Sequence, residues 1–306
     1  MADIIIIGAG TAGLTAAIYC RRAGMDTVIY EAEAYGGQII NTPEIENYPG
    51  FTNISGFEYA TKLFEQATGL GARLEFDKIV SVEGDAKSGF TVKGEYGAND
   101  TAKAIIIATG ARNRHMGIDM EEQLTGKGVS YCATCDGSFF KDKPVAVFGG
   151  GNTAVEDAIY LAGICSKVYI VHRREQFRAE SGLVDTLLSK PNVETVLPYV
   201  VKELLHDGRL TGIRVENTQV GSTRDIEVDG LFVAIGQIPS NDPFKELIPL
   251  DPTGYAIADE SCLTDVKGIF VAGDGRTKKV RQLTTAAADG AVAALAACDF
   301  ISTAGL

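Results

Sequence analysis

The sequence predicts an α/β fold built from two βαβ-based domains, the second inserted into the first. Three observations carry this. The apolar run Asp3-Ile-Ile-Ile-Ile7 leads into the turn Gly8-Ala-Gly10-Thr-Ala-Gly13, then a helical stretch over residues 14–23, then the apolar Thr27-Val-Ile-Tyr30 closed by Glu31. The pattern recurs in Val145-Ala-Val-Phe148, Gly149-Gly-Gly151-Asn-Thr-Ala154, a helical stretch to Ala162, and Val168-Tyr-Ile-Val171 closed by His172. Three further apolar runs each meet a glycine: Ile105-Ile-Ile-Ala-Thr-Gly110, Leu231-Phe-Val-Ala-Ile-Gly236 and Gly268-Ile-Phe-Val-Ala-Gly-Asp274. Short continuous apolar runs are what strands of a parallel sheet look like when helices cover both faces.

The simplest chain path places residues 1–113 and 245–306 in an outer domain and residues 114–244 in the insert. The connecting segments, Arg112-Asn-Arg-His115 and Gln237-Ile-Pro-Ser-Asn-Asp-Pro243, are polar or carry proline, as linkers do. A chain of 306 residues is long enough for two such cores.

Composition narrows the functional classes. The formal charge of −12 would repel a phosphate backbone, so no nucleic-acid partner is expected. The N-terminal apolar run is too short for a signal peptide, and no stretch approaches the roughly 18 apolar residues of a membrane span. A cytoplasmic protein with no membrane partner is expected. Of the six cysteines only Cys132 and Cys135 are close in sequence, which reads as reduced thiols plus one special pair.

Each glycine turn opens a helix, and a helix start offers free N–H groups to a pyrophosphate. The residue closing the second strand separates the two ligands. Glu31 can accept hydrogen bonds from an unphosphorylated ribose diol. His172, followed by Arg173, Arg174 and Arg178, puts cations there instead, which suits a 2′-phosphate and hence NADPH. The first turn is expected to hold FAD, with Asp274 at the end of a buried strand where a ribityl chain or pyrophosphate passes. The following alanine-rich helix would aim its positive end at the flavin pyrimidine.

Cys132-Ala-Thr-Cys135-Asp136-Gly137 is the most chemically pointed motif. Its spacing permits a small disulfide loop, and Asp136 is a candidate acid for a leaving thiolate. A zinc site or an inert thiol pair are the alternatives. Zinc would need four ligands, and neither His115, Cys165 nor His172 has ligand spacing, so no metal is expected.

These motifs occur in the order and spacing of a known family. With Gly36-Gly37-Gln38, Glu46-Asn47-Tyr-Pro-Gly50, Ala108-Thr109-Gly110, Ala272-Gly-Asp274 and Arg281-Gln282, the whole chain resembles the bacterial-type, low-molecular-weight thioredoxin reductases of the pyridine nucleotide-disulfide oxidoreductases. The resemblance implies two Rossmann-like domains and electron flow from NADPH through FAD and a Cys132–Cys135 disulfide to a thioredoxin. It implies that Gly8, Gly10, Gly13, Glu31, Gly37, Gln38, Asn47, Thr109, Gly110, Asp274, Arg281 and Gln282 surround FAD. Gly149, Gly151, Asn152, Thr153, His172, Arg173, Arg174, Arg178, Ile235 and Gly236 would bind NADPH. Cys135 would face the flavin, Cys132 would exchange with the partner, and Asp136 would move the proton. A homodimer is implied, as is an insert that swings about its linkers. Departures are Asn113 and Asp119-Met-Glu121 in and after the first linker, and Ser138 where several relatives carry an aromatic.

Neighbouring functions fit less well. A reductase arm for a peroxidase normally has extra N-terminal redox domains. An oxygen-dependent dithiol oxidase or ferredoxin-fed reductase has no reason to keep both the second glycine turn and the arginines. A ferredoxin–NADP reductase would lack the cysteine pair. A flavin-bound redox sensor would need no turnover with NADPH.

Overall fold

The computed structural model describes residues 1–304. In chain order the first stretch contains β1 (Ala2–Ile7), α1 (Thr11–Arg22), β2 (Thr27–Glu31), α2 (Gly56–Gly69), β3 (Arg73–Phe76), β4 (Ile79–Asp85), β5 (Gly89–Gly94), β6 (Asn99–Ile107) and β7 (Ala111–Asn113). Next come α3 (Glu121–Leu124), β8 (Val129–Ser130), α4 (Ala133–Asp136), β9 (Pro144–Phe148), α5 (Asn152–Ala162), β10 (Lys167–Val171), α6 (Ser181–Leu188), β11 (Val193–Val196), β12 (Tyr199–His206), β13 (Leu210–Asn217), β14 (Thr223–Glu227) and β15 (Gly230–Val233). The chain closes with β16 (Gln237–Pro239), β17 (Ile269–Val271) and α7 (Leu283–Ala304).

Two compact units result: residues 1–112 with 238–306, and residues 113–237. In the first unit the sheet runs β3-β2-β1-β6-β5-β4, with β17 also on β6. The pairs joining β1, β2, β3, β6 and β17 are parallel, while β4, β5 and β6 pair antiparallel. β6 is long enough to do both. Its Asn99–Ala102 portion pairs with β5, and Ile105–Ile107 pairs with β17. Ile4, Ile5, Ile6 and Ile105 to Ile107 are fully or almost fully buried, as central parallel strands require.

One described helix, over Leu283–Thr303, is long and apolar enough by length and composition to cross a membrane. Alanine lifts its average, and Ala293, Ala294 and Ala297 are wholly buried in the core that α1 also lines. It is a core helix of this unit, the alanine-rich helix the sequence predicts after Asp274. Gly290 lets it approach α1 closely: a Cβ there would lie 2.2 Å from the Ala12 carbonyl oxygen.

The second unit holds an all-parallel sheet, β11-β10-β9-β15-β8, and an antiparallel sheet, β12-β13-β14. The two connecting strands, β7 and β16, pair with each other. The stretch after β16 is anchored in the first unit at two points: Asn241 and Phe244 are buried, while Ser240, Asp242 and Pro243 are exposed.

Candidate active site

In the first unit β1 ends at the glycine turn and α1 starts from it. A Cβ on Gly13 would sit 1.9 Å from the Gly8 carbonyl oxygen, so the helix start packs on the turn too closely for any side chain. Gly10 is different. Its φ of −76° is open to every residue, and the nearest atom to an added Cβ is 4.0 Å away. Nothing in the protein demands glycine there. Gly10 caps α1 without a side-chain hydrogen bond, so its bareness leaves the helix-start amides approachable. Gly37 lies beside it, 3.4 Å from the Gly10 Cα to a built Cβ, and Gly273 approaches Ala12 from the far end of the chain.

Around that helix start stand two carboxylates. Glu31 Oε2 accepts from Ala9 N at 2.7 Å and Oε1 from Glu33 N at 2.9 Å, which fixes the group beside the turn. Asp274 follows β17, and its buried Oδ1 has no hydrogen-bond partner in the protein. Burial pushes the Asp274 carboxyl up, against the pull of Lys278 and Arg281. A buried acceptor without a donor is costly, so this oxygen fits a hydroxyl supplied by a ligand. Amides for a pyrophosphate, Glu31 for a ribose diol and Asp274 for a ribityl hydroxyl together fit FAD.

The other first-unit candidates are ordered by the protein. Arg281 donates to Asp274 O and Arg276 O, both at 3.3 Å, and stacks over Tyr255 with 4.2 Å to the ring centre. Asn47 Nδ2 donates to Gln282 Oε1 at 3.3 Å, and Gln38 donates to Ala111 O. Thr109 Oγ1 donates to Asn241 Oδ1 at 3.3 Å, and Gly110 O accepts from Ser240 N at 3.0 Å.

In the second unit the turn after β9 repeats the arrangement. Gly151 caps α5 without a side-chain bond, and a Cβ there would meet nothing within 4 Å. Thr153 is exposed in the first turn of α5. Asn152 is held by Glu180, accepting its N–H at 2.9 Å and donating to its carboxylate at 3.1 Å. Arg173, Arg174 and Arg178 line an open cavity of about 640 Å³ with Gln176, Thr218 and Gln219. His172 lies beneath, 4% exposed, against Gly150, where even a Cβ would come within 2.3 Å of Nδ1. Burial first, then the three arginines, push the His172 pKa down, so the ring is neutral. Its buried Nε2 has no partner. Three cations in the loop after β10, tied to the helix-start turn by Arg178 N donating to Gly150 O at 2.7 Å, suit a nucleotide with an extra phosphate, and these residues fit NADPH. Ile235 is partly buried against the core of this unit, and Gly236 takes a φ of +100° after β15.

Cys132 and Cys135 form a disulfide with Cα atoms 5.3 Å apart. Cys132 caps α4, and Cys135 and Asp136 lie within it. The two sulfurs bond each other, which fits a redox-active disulfide. Among the described residues no three His, Cys, Asp or Glu side chains converge as a metal site. The other four cysteines are buried thiols. Asp136 is half-buried, and burial raises its carboxyl pKa while a hydrogen bond from Ser130 pulls it down.

Sequence reasoning missed three residues. Ser130 donates to Asp136 Oδ2 at 2.6 Å. Asn241 donates to Gly254 O at 3.0 Å and Gly275 O at 2.7 Å, fastening the Asp274 turn. Asp289 accepts from Gly273 N, Arg276 and Lys278 at 2.8–2.9 Å. Asp289 gave a signal, as the one charge within the alanine-rich run; Asn241 gave none.

The model of the family described as pyridine nucleotide-disulphide oxidoreductase matches residues 2–290. A thioredoxin reductase of Peptoclostridium acidaminophilum is 45% identical over 98% of this chain and 96% of that protein. One from Listeria monocytogenes is 44% identical over 95% of this chain and 91% of its own length. The crystal structure of thioredoxin reductase from Streptococcus pyogenes MGAS5005 superposes with a TM-score of 0.95 at 40% identity, covering 99% of each chain. With both glycine-turn units and the disulfide in place, the chain belongs to the pyridine nucleotide-disulphide oxidoreductases, and among them to the thioredoxin reductases.

Proposed function

We propose that this protein is an NADPH-dependent flavoprotein thioredoxin-disulfide reductase, passing electrons from NADPH through FAD and the Cys132–Cys135 disulfide to oxidised thioredoxin or a thioredoxin-like protein. The observation that carries the reading is the Cys132–Cys135 disulfide with a half-buried carboxyl, Asp136, on the same short helix. The first unit is the FAD domain and the second the NADPH domain. Bound FAD supplies a carrier that takes two electrons from a hydride donor and yields them to a disulfide.

The protein's residues bind, orient and move protons. Helix-start amides of α1, with Gly10 bare, take the flavin pyrophosphate; Glu31 takes the ribose and Asp274 a ribityl hydroxyl. Gln38, Asn47, Thr109, Gly110, Arg281 and Gln282 line the remainder. In the second unit α5 takes the NADPH pyrophosphate, with Asn152 and Thr153 at its start, and the arginines take the 2′-phosphate. Cys135 is the sulfur reduced at the flavin, and Cys132 the sulfur that attacks the partner. Asp136, kept basic by burial, hands a proton to the departing sulfur and takes it back. The family resemblance and the charge of −12 support a cytoplasmic homodimer that leaves nucleic acids and membranes alone.

A coupled assay tests the reading. Purified protein, NADPH, thioredoxin and a chromogenic disulfide should give thioredoxin-dependent colour, and the protein should release FAD on denaturation. Colour that does not depend on thioredoxin sinks the partner assignment.

A further inference from the structure

We propose that Ser130 is a positioning residue that sets the proton affinity of Asp136 and fixes it against the exchanging cysteine; this rests on the roles given above to Asp136 and Cys132. Ser130 is 4% exposed and ends β8, where it pairs with Phe232 of β15, so its backbone is anchored in the parallel sheet. Its single hydroxyl proton has two acceptors within reach. Asp136 Oδ2 stands at 2.6 Å and the Cys132 carbonyl oxygen at 3.4 Å, and the shorter contact takes the proton. The lone pairs of the same oxygen accept the Cys132 N–H at 3.1 Å. One buried hydroxyl therefore bridges the backbone of the attacking cysteine and the carboxyl of the acid.

The bridge has a chemical consequence. Burial favours the neutral carboxyl, and donation from Ser130 favours the carboxylate. The helix α5, which packs against α4, carries the charged groups Glu156 and Asp157, and the turn after α4 ends at Lys141; burial and the Ser130 hydrogen bond are the influences that act on Asp136 most directly. The acid must give up its proton and regain it within each cycle. In the exchange step the Cys132 thiolate attacks the thioredoxin disulfide. A new S–S bond forms as the partner's bond breaks, and the released electron pair stays on the departing sulfur, which takes the proton of Asp136. The Ser130 hydroxyl then donates to the carboxylate left behind. Without it, burial alone acts, and Asp136 holds its proton too firmly.

The test compares the flavin-loaded protein with Ser130→Ala, Ser130→Thr, Ser130→Cys and Asp136→Asn. The carboxyl C=O infrared band that vanishes in Asp136→Asn reports the titration of Asp136 directly. In Ser130→Ala its midpoint should move up by about one pH unit, the scale of one charge-assisted hydrogen bond. The alkaline limb of kcat/KM for thioredoxin should move with it, since activity falls as the acid loses its proton. Ser130→Thr should restore both, and Ser130→Cys, a weaker donor, should fall between; it also serves if the alanine variant does not fold. An unmoved midpoint in Ser130→Ala and Ser130→Cys, or a threonine variant that behaves like alanine, overturns the proposal. Should the unaltered protein fail to reduce thioredoxin at any pH, the functional reading falls, while the infrared titration still decides the role of Ser130.

Discussion

Tyr131 Oη donates a 2.7 Å hydrogen bond to Glu121 Oε1, which ties the residue beside Cys132 to a carboxylate only 3% exposed. The same carboxylate accepts from Met116 N at 2.9 Å and Gly117 N at 2.8 Å. Burial, and then the Glu121 charge, push the Tyr131 phenol above its ordinary pKa, so it stays a donor. Tyr131→Phe removes one of three donors from a buried charge. It should lower the unfolding free energy by about 1–3 kcal/mol. Urea titration of the flavin-loaded protein measures this, and an unshifted midpoint contradicts it.

The arginine-lined cavity makes a cofactor prediction. Replacing Arg173 and Arg174 together with alanine should raise the Michaelis constant for NADPH roughly tenfold to a hundredfold, the size of a lost charge-assisted phosphate contact. The constant for NADH should change far less. Steady-state kinetics with both nucleotides reads the difference. Equal use of the two by the unaltered protein contradicts the assignment.

The two sulfurs should separate by behaviour. Cys132→Ser and Cys135→Ser should both abolish thioredoxin reduction while NADPH still bleaches the flavin. With Cys132 alone remaining, a stable mixed disulfide with thioredoxin should appear on non-reducing gels. With Cys135 alone remaining, its thiolate beside oxidised flavin should give a long-wavelength absorbance band. Exchange of the two signatures would reverse the assignment.

Asp289 holds two buried cations. Arg276 is 1% exposed and the Lys278 side chain 5%. Burial works against the charged carboxyl, yet the two cations outweigh it, and the Asp289 pKa ends below its ordinary value. Its folded pKa is thus lower than its unfolded one. The stability it brings is complete above about the ordinary aspartate value and is lost as pH falls through the folded one. Asp289→Asn strands Lys278 and leaves Arg276 only the exposed Glu260 carboxylate at 3.4 Å, and should cost about 3–5 kcal/mol. It should also loosen FAD, because Asp289 accepts the N–H of Gly273, next to Asp274. Thermal unfolding and flavin retention on a desalting column measure the two effects, and the variant should lose the part of the acid-side dependence that Asp289 brings.

What could be read from the sequence was local. Both strand–turn–helix–strand units and the Cys132–Cys135 loop lie within short stretches, so spacing alone exposes them. Glu31, His172 and the arginines could be named because each sits at a fixed remove from its own glycine turn. Asn241 could not, since its acceptors, the carbonyls of Gly254 and Gly275, belong to segments that only the fold brings to it. Ser130 stands two residues before Cys132, but the spacing does not show that its hydroxyl lies 2.6 Å from Asp136 Oδ2. The alanine-rich α7 is legible in the sequence as a helix, but Asp289 inside it becomes meaningful only beside Arg276 and Lys278.

The forked pairing of β6 has a consequence for biosynthesis. Chain growth on a ribosome runs from the N-terminal side, and β17 and α7 are made only after the whole second unit. Until then the Ile105–Ile107 edge of β6 lacks its β17 partner, and the face of α1 that α7 covers stays open. The second unit owns all five strands of its parallel sheet and can close while still tethered. The nascent chain therefore carries a finished middle and an unfinished beginning, with an unpaired apolar edge of the kind that chaperones shield. Synthesis of β17 and α7, not the emergence of the first glycine turn, is the step that lets the first unit become whole.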